Sequence, residues 1–210
     1  MTAKIRSSGL PINHKKIQRI YYEMGLQRKI KPKKRLPSRV AIPLAVPDRP
    51  NVCWSIDFMS DTLVSGKKFR AFNIIDDFNR EVLWIATDTC MPADRVIRVL
   101  DQVAAIHGYP EKIRSDNGPE FISHKIRDWA LQHSVTWLFI QPGKPAQNAY
   151  IERLNRTFRE DILDAYLFNS ISEIQDMAFD WMEMYNSERP HESLGNLSPI
   201  QYALTVSSDA

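Results

Sequence analysis

The chain has 210 residues, enough for one medium-sized domain with an appendage, and 43% of them are hydrophobic. No apolar run reaches the roughly 18 residues of a transmembrane helix and no signal peptide is visible, which predicts a cytoplasmic protein without membrane partners. The two cysteines, Cys53 and Cys90, have no spacing typical of metal ligands, so we interpret them as reduced thiols.

Charge is distributed unevenly along the chain. Residues 1–49 contain 13 Lys and Arg against 2 acidic residues, a net charge of +11. Since the whole chain carries +3, residues 50–210 carry 3 − 11 = −8. A basic arm on an acidic body favours a protein that binds a polyanion, and a solubilising basic tail is the alternative interpretation.

The N-terminal segment combines a helical pattern with a basic linker. Apolar residues recur at helical spacing from Ile17 to Met24, which predicts an amphipathic helix from about Pro11 that Asn13 caps. A stretch without acidic residues, interrupted by prolines, then continues past Arg39. One helix cannot bury its own apolar stripe, so we expect it to dock on the main body or to belong to a larger helical module.

From Asn51 onward the pattern changes to that of strands. Residues 52–59 alternate between two kinds of side chain, which is typical of a strand with two unlike faces, and Asp57 lies on the polar one. A second strand over 68–75 and a third over 81–88 flank the polar turn DDFNR. This arrangement predicts an antiparallel hairpin.

Helices and strands alternate in the rest of the chain. In order, the pattern predicts a helix between Pro92 and Gly108, a strand over 112–115, a helix capped by Ser123, a strand over 135–139, a long helix that contains Glu152, a helix over 172–185 and a short helix that begins at Pro199. This element order predicts an α/β fold with a five-stranded mixed sheet flanked by helices.

Three carboxylates stand in settings that suit phosphoryl transfer. Asp57 is predicted on a strand, Asp116 at the sharp turn after a strand, and Glu152 on a helix. If they converge, they can hold two divalent ions, one to activate an oxygen nucleophile and one to stabilise the leaving oxygen. Taken singly, each has an ordinary alternative: a surface aspartate, an Asx-Gly turn or a solvated helix face.

The helix around Glu152 has a face suited to nucleic acid. At about 100° per residue, amide and guanidinium side chains lie on the same side as Glu152. Such groups contact phosphates and base edges, although a solvated face with i,i+4 pairs is the alternative. The predicted DNA-binding residues of this face are Asn148, Asn155, Arg156 and Arg159.

Other carboxylates and other chemistries are weaker candidates. Asp76 and Asp77 lie in the predicted hairpin turn, where Asp is expected for turn formation, and Asp61 follows the first strand too late to share its register. Glu120, in the turn after Asp116, is a weaker candidate for contact with a metal or nucleophile. The sequence contains no HExxH, GxSxG or GxxxxGK[ST] motif.

Four sequence blocks carry a family resemblance: WSIDFMSD, SDNGPEF, PGKPAQNAYIERLNRTFRED and YNSERPHESLGNLSPIQY. In their order and spacing the chain resembles the catalytic subunit of bacterial insertion-sequence transposases of the IS-three type, which are related to retroviral integrases. The resemblance implies an RNase H-like fold and a DDE triad that binds two Mg²⁺ or Mn²⁺ ions. The triad would consist of Asp57, Asp116 and Glu152.

The resemblance also implies a domain organisation. Residues 1–48 resemble the end of a helical DNA-binding region plus a linker, and residues 49–205 resemble the integrase catalytic core with C-terminal helices. Relatives usually carry more residues upstream, so we expect this chain to begin late. Basic residues outside the Glu152 helix are also predicted to bind DNA, namely Lys31, Lys33, Lys34, Arg35 and Lys144.

The function that this resemblance implies is Mg²⁺-dependent cleavage and strand transfer of DNA during transposition. No side chain is expected to act as nucleophile; a metal-activated water and then a DNA 3′-hydroxyl would attack. The implied partners are double-stranded DNA, further copies of the chain and the product of an upstream overlapping reading frame, on the bacterial nucleoid. Two alternatives stay open: a truncated, non-catalytic DNA-binding remnant, and an RNase H-like nuclease for RNA–DNA hybrids.

Overall fold

The computed structural model describes residues 13–26, 46–141 and 145–208 of the chain. Five strands form one sheet: β1 Cys53–Thr62, β2 Lys68–Asp76, β3 Val82–Asp88, β4 Lys112–Ser115 and β5 Thr136–Phe139. The α-helices of the described ranges are α1 His14–Glu23, α2 Ala93–His107, α3 His124–Gln132, α4 Ala149–Phe158, α5 Ile171–Glu188 and α6 Pro199–Ser208. None of these helices is long and apolar enough to cross a membrane.

The strand order of the sheet is β3-β2-β1-β4-β5. β2 pairs with β1 and with β3 in antiparallel fashion, whereas β4 runs parallel to β1 and to β5. The predicted five-stranded mixed sheet is therefore confirmed. In the parallel register Cys53 lies opposite Lys112, so four residues further on Asp57 comes beside Asp116.

Helices cover both faces of the sheet. One buried cluster joins Trp54 and Ile56 of β1 to α2 and α3, while the other joins Met59 of β1 to α4 and α5. The polar face predicted for β1 is consequently an interior face, on which Ser55 is fully buried and Asp57 half-buried. The site that β1 carries is therefore built between a sheet and a helix rather than on an open surface.

The edge strand β3 is closed by side-chain amides from α5. The Gln175 side chain accepts from Thr87 N at 2.9 Å and donates to Ile85 O at 2.8 Å. The Asn186 side chain accepts from Val82 N at 2.8 Å and donates to Val82 O at 2.9 Å. These bonds satisfy backbone groups that would otherwise offer an edge for pairing with another strand.

Two predicted boundaries differ from the observed ones. β1 continues to Thr62, so Asp61 does share its register, because the antiparallel ladder with β2 extends that far. α5 begins after a capping box formed by Ser170 and Glu173 and ends at Glu188, three residues beyond the predicted end. The predicted cap of α1 by Asn13 is confirmed.

The C-terminal segment packs His191 into the protein. His191 is 7% exposed, and its ring meets that of Tyr185 edge to face at 5.0 Å between ring centres. Its backbone N–H donates to Leu197 O at 3.0 Å. Burial, and then the charges of the surrounding arginines Arg189, Arg153 and Arg80, lower the pKa of His191 to about 4.

We expect His191 to make the protein less stable in mild acid. The pKa of His191 is near 6.5 in the unfolded chain and about 4 in the folded protein. As the pH falls below 6.5, the unfolded chain therefore binds a proton at His191 while the folded protein does not. Between about pH 7 and pH 5 this linkage removes about 2 kcal/mol of stability. Urea unfolding of wild type and His191→Gln at both pH values tests it, because the variant should lack this part of the pH dependence. An identical pH dependence in both proteins would contradict the prediction.

Candidate active site

Asp57 lies on the central strand β1 and faces helix α4. Its Oδ1 accepts from Phe58 N and its Oδ2 from Asn155 Nδ2, each at 2.8 Å. The pKa of Asp57 is raised to about 6. Burial is the largest cause, and the charges of Asp116 and Glu152 contribute to the same increase. The charges of two of the predicted carboxylates thus act on the third.

Asp116 occupies the turn that follows β4. Its Oδ1 accepts from Gly118 N at 2.9 Å, which closes the predicted Asx turn. A Cβ atom on residue 118 would lie 3.0 Å from the same oxygen, so glycine permits this close approach. Asn117 fixes the turn from outside through a 3.1 Å hydrogen bond from its Nδ2 to Ile140 O.

Glu152 belongs to the first turn of α4 and is exposed. The helix packs through Ile151, Leu154 and Phe158, which are fully buried in the cluster beneath the sheet. Because these residues fix the rotation of the helix, the adjacent face with Glu152 is held next to β1. The packing face predicted from the sequence is therefore the one observed.

A chain of two amides links Asp57 to the neighbouring strand. Asn73, which lies opposite Asp57 on β2 and is fully buried, donates from Nδ2 to Asn155 Oδ1 at 2.7 Å. Asn155 then donates to Asp57. Since an Asn side chain has one accepting and one donating end, Asn73 fixes which end of Asn155 meets the carboxylate.

The donor set suits a hard divalent cation, although it does not enclose one in this conformation. Among the described residues no three His, Cys, Asp or Glu side chains stand close enough together to hold a metal ion. The charges of Asp116 and Glu152 nevertheless disfavour ionisation of Asp57, and a cation would offset that repulsion. Carboxylate oxygens are the ligands that Mg²⁺ prefers, and each keeps a free lone pair here.

The structure places the four residues of the predicted DNA-binding face differently from one another. Asn148 is buried, and Asn155 is engaged with Asp57. Arg159 is bound to Asp61 at 2.9 Å and to the Ser60 carbonyl. Arg156 is exposed. Contact with DNA stays a prediction for all four. The other predicted DNA contacts, Lys31, Lys33, Lys34, Arg35 and Lys144, lie outside the described residues.

Two carboxylates have larger roles than turn formation. Asp76 accepts from the backbone N–H groups of Asn51 and Phe78, both at 2.8 Å. Asp77 is 0% exposed and accepts from Ser55 Oγ at 2.6 Å. It also pairs with Arg114 of β4. The ion pair between Asp77 and Arg114 was not predicted from the sequence. The signal that could have indicated it is the pair of consecutive aspartates at the start of the turn.

Glu120 and Asp61, the remaining carboxylates near the site, are both ion-paired. Glu120 pairs with Arg70 of β2, whose guanidinium lies 3.9 Å from the centre of the Phe58 ring. Asp61 pairs with Arg159. Each charge is therefore compensated by a nearby guanidinium. Between described residues, no ion pair involves Asp57, Asp116 or Glu152.

Two family matches cover the sheet and the helices that follow it. The integrase core domain matches residues 47–145, and a second integrase core domain family matches residues 133–199. Together they include Asp57, Asp116 and Glu152.

Insertion-element proteins match nearly the whole chain. An IS476 protein of 39.2 kDa from Xanthomonas euvesicatoria is 40% identical over 91% of this chain and 56% of its own length. An IS407 protein of 31.7 kDa from Burkholderia multivorans is 38% identical over 96% of this chain and 73% of its own length. The putative transposase InsK of IS150 from Escherichia coli is 27% identical over 96% of this chain. The chain thus spans little more than half the length of the IS476 relative.

Among the solved structures that share the fold are retroviral ones. A chain of the simian T-cell lymphotropic virus intasome superposes with a TM-score of 0.62 at 16% identity, over 80% of this chain and 60% of its own. The HTLV-2 integrase catalytic core, solved in complex with magnesium, superposes with a TM-score of 0.55 at 15% identity, over 74% of this chain and 97% of its own. The predicted RNase H-like fold is confirmed by this likeness. With the insertion-element relatives, it shows that the chain belongs to the family of insertion-element transposases built on an integrase core domain.

Proposed function

We propose that this chain is a DDE polynucleotidyl transferase that cleaves DNA strands and joins them during transposition. The observation that supports the proposal is the meeting of three elements at Asp57: β1 carries it, β4 runs parallel to β1 and leads to Asp116, and Asn155 of the Glu152 helix donates to its carboxylate. The charges of Asp116 and Glu152 also raise the pKa of Asp57, as isolated surface acids would not do.

Asp57, Asp116 and Glu152 would hold two Mg²⁺ or Mn²⁺ ions. When bound, such ions supply Lewis-acid stabilisation of the charge that develops on a transferring phosphoryl group. The residues of the chain orient this site. Asn155 and Phe58 N hold the Asp57 carboxylate at both oxygens, and Gly118 N holds that of Asp116.

Two in-line displacements complete the reaction. In the first, water attacks a phosphodiester at the end of the element, and the bond to the leaving oxygen breaks to give a 3′-hydroxyl. In the second, that hydroxyl attacks a target phosphodiester, so one phosphodiester bond forms as another breaks and no external energy source is needed. Catalysis then rests on positioning and on electrostatic stabilisation rather than on a covalent enzyme intermediate.

The proposed partners follow from the relatives. The HTLV-2 integrase core is described as a dimeric form, and the simian virus protein as part of an intasome. We extend this to the present chain as a homo-oligomer on double-stranded DNA, with residues 1–48 as an accessory basic segment and residues 49–205 as the catalytic core. Nothing in the relatives bears on the product of an upstream reading frame, which stays a prediction.

Neutralising the carboxylate of Asp116 or of Glu152 is expected to abolish DNA joining and to leave DNA binding intact. Asp116→Asn and Glu152→Gln keep the size of each side chain but remove the charge that the reaction needs. Strand transfer of a labelled duplex carrying the element's end, with Mg²⁺, measures the first effect, and fluorescence anisotropy measures the second. Undiminished joining by either variant contradicts the proposal.

The same assay separates the two alternatives. A wild-type chain that binds the duplex and joins nothing would support the non-catalytic remnant. Cleavage of an RNA–DNA hybrid without any joining of DNA would support the nuclease. The presence of all three carboxylates, Asp57, Asp116 and Glu152, favours the transferase over the remnant.

A further inference from the structure

Three arginines from distant parts of the chain gather at the C-terminal segment. Arg80 comes from the β2–β3 turn, Arg153 from α4 and Arg189 from the end of α5. The Arg189 guanidinium lies 5.7 Å from the centre of the Tyr185 ring, which contacts His191. Arg80 contacts the ring of Tyr150 on α4, and Arg153 lies three residues further along that helix and so on the same face. After burial, the charges of all three arginines also lower the pKa of His191.

Two of these arginines have partners inside the protein, whereas for the third the described part of the chain supplies no ion pair. Arg189 donates to Asp161 at 2.7 Å. Arg80 is buried, with its guanidinium 3.4 Å from the centre of the Tyr150 ring. Arg153 is exposed and takes part in none of the ion pairs between described residues. The cluster therefore carries an uncompensated positive charge at its exposed side.

The cluster also contains a polar atom without a partner. Nε2 of His191 is buried, and among the described residues no group forms a hydrogen bond with it. Leaving such a buried group unpaired is unfavourable, and a hydrogen bond to a ligand oxygen would offset that cost. In the tautomer that carries its proton on Nε2, the neutral imidazole donates from this atom, and an anionic oxygen is then a suitable partner.

We propose that Arg153, Arg189 and His191 form a binding site for a backbone phosphate of DNA, with Arg80 adding to its positive field. The inference rests on the proposed function, since it gives the DNA substrate a contact beside the catalytic centre. Arg153 follows Glu152 directly in the first turn of α4, about 100° away around the helix. If the reacting phosphate of a DNA strand lies at Glu152, a neighbouring phosphate of the same DNA strand would then lie near Arg153.

Guanidinium groups suit this ligand. They present several N–H donors in a planar fork that matches phosphate oxygens, and they stay charged at any working pH. A contact with the DNA backbone carries no sequence information, so the site would hold the strand in place rather than select it. The Arg-Pro-His block that supplies Arg189 and His191 would then be part of the DNA-binding surface as well as of the packing.

The test measures DNA binding without catalysis. Full-length wild type and Arg153→Gln are titrated with a short fluorescein-labelled duplex in EDTA over a range of salt concentrations. The variant is expected to bind roughly fivefold to tenfold more weakly near 0.1 M salt, for any sequence, and the slope of log K against log salt should fall by about 1. Arg153→Lys keeps the charge and should retain most of the slope.

Arg98→Gln is the matched control, because Arg98 is an exposed arginine on α2, which covers the other face of the sheet. An unchanged slope in Arg153→Gln, or an equal decrease in Arg98→Gln, overturns the inference. Glu152→Gln distinguishes failure of this inference from failure of the proposed function. If Glu152→Gln no longer joins DNA while Arg153→Gln keeps the wild-type slope of log K against log salt, the transferase proposal is supported and the phosphate site is contradicted.

Discussion

Replacing Asp57 with asparagine is expected to lower the rate of DNA joining roughly 1,000-fold or more. The same substitution is expected to stabilise the folded protein. The loss of activity follows because asparagine keeps the shape of the side chain but not the charge that a divalent ion requires. The gain in stability follows from the position of Asp57, which is half-buried and repelled by Asp116 and Glu152.

The sign of the stability effect comes from the pKa of Asp57, which is about 6 in the folded protein against an ordinary value of 3.8. The folded state binds the proton more tightly than the unfolded state does. The ionised Asp57 therefore lowers the free energy of unfolding most above pH 6, and this destabilisation decreases to nearly zero as the pH falls to 3.8. At about pH 8 the ionised group costs about 2 kcal/mol after allowance for its partial exposure. Asparagine cannot keep both hydrogen bonds of the carboxylate and loses about 1 kcal/mol, which leaves a net gain of about 1 kcal/mol.

Urea unfolding in EDTA at about pH 8 and about pH 4 measures this difference. At about pH 4 the penalty of the ionised group is almost gone and the lost hydrogen bond remains, so the variant should there be slightly less stable than wild type. Mg²⁺ should then stabilise the wild type and not Asp57→Asn, since only the former binds it well. Asp128→Asn, on the exposed side of α3, is the control and should change neither activity nor stability. An Asp57→Asn protein that joins DNA, or that is less stable than wild type at the higher pH, contradicts the prediction.

The order of elements could be predicted because its signals are local, and the same signals placed Asp57 on a strand, Asp116 at a turn and Glu152 on a helix. Alternation along β1 and helical spacing along α4 depend on neighbouring residues, and so does the Asn117-Gly118 turn. These patterns fix where an element lies and which residues share a face. They gave Asp57, Asp116 and Glu152 without any knowledge of their distances.

The remaining parts of the site depend on residues that are far apart in sequence. A helical wheel places Asn155 beside Glu152 but cannot show that Asn73, 82 positions earlier, turns its amide toward Asp57. Likewise, the turn residues Asp76 and Asp77 look like ordinary turn formers until β4 pairs with β1. Sequence patterns reveal which side chains are polar, whereas tertiary contacts decide which polar groups become internal partners.

Replacing Arg114 with leucine is expected to destabilise the protein by about 3–5 kcal/mol, a large fraction of the stability of a domain of this size. Arg114 is 16% exposed and pairs with Asp77, which is 0% exposed. Burial raises the pKa of Asp77, and the Arg114 charge is the first of the effects that lower it again. Without the guanidinium, Asp77 must stay charged in the interior or take up a proton, and both are unfavourable.

The double variant Asp77→Leu/Arg114→Leu separates loss of the pair from loss of packing. Because it leaves no unpaired charge, it should be more stable than Arg114→Leu alone, although it still leaves Ser55 without its partner. Lys112→Leu, an exposed position on the same strand, is the control and should stay within about 0.5 kcal/mol of wild type. Urea unfolding at neutral pH gives all four values.

The pair also connects stability to catalysis. Ser55 lies opposite Arg114 in the parallel register of β1 and β4. Each precedes a proposed catalytic aspartate by two residues, Asp57 on one strand and Asp116 after the other. Ser55, Asp77 and Arg114 therefore hold together the strands that bring the two carboxylates side by side. If so, Arg114→Leu should lower joining even at temperatures where it is fully folded, whereas Lys112→Leu should not. Wild-type joining by folded Arg114→Leu would show that the pair serves stability alone.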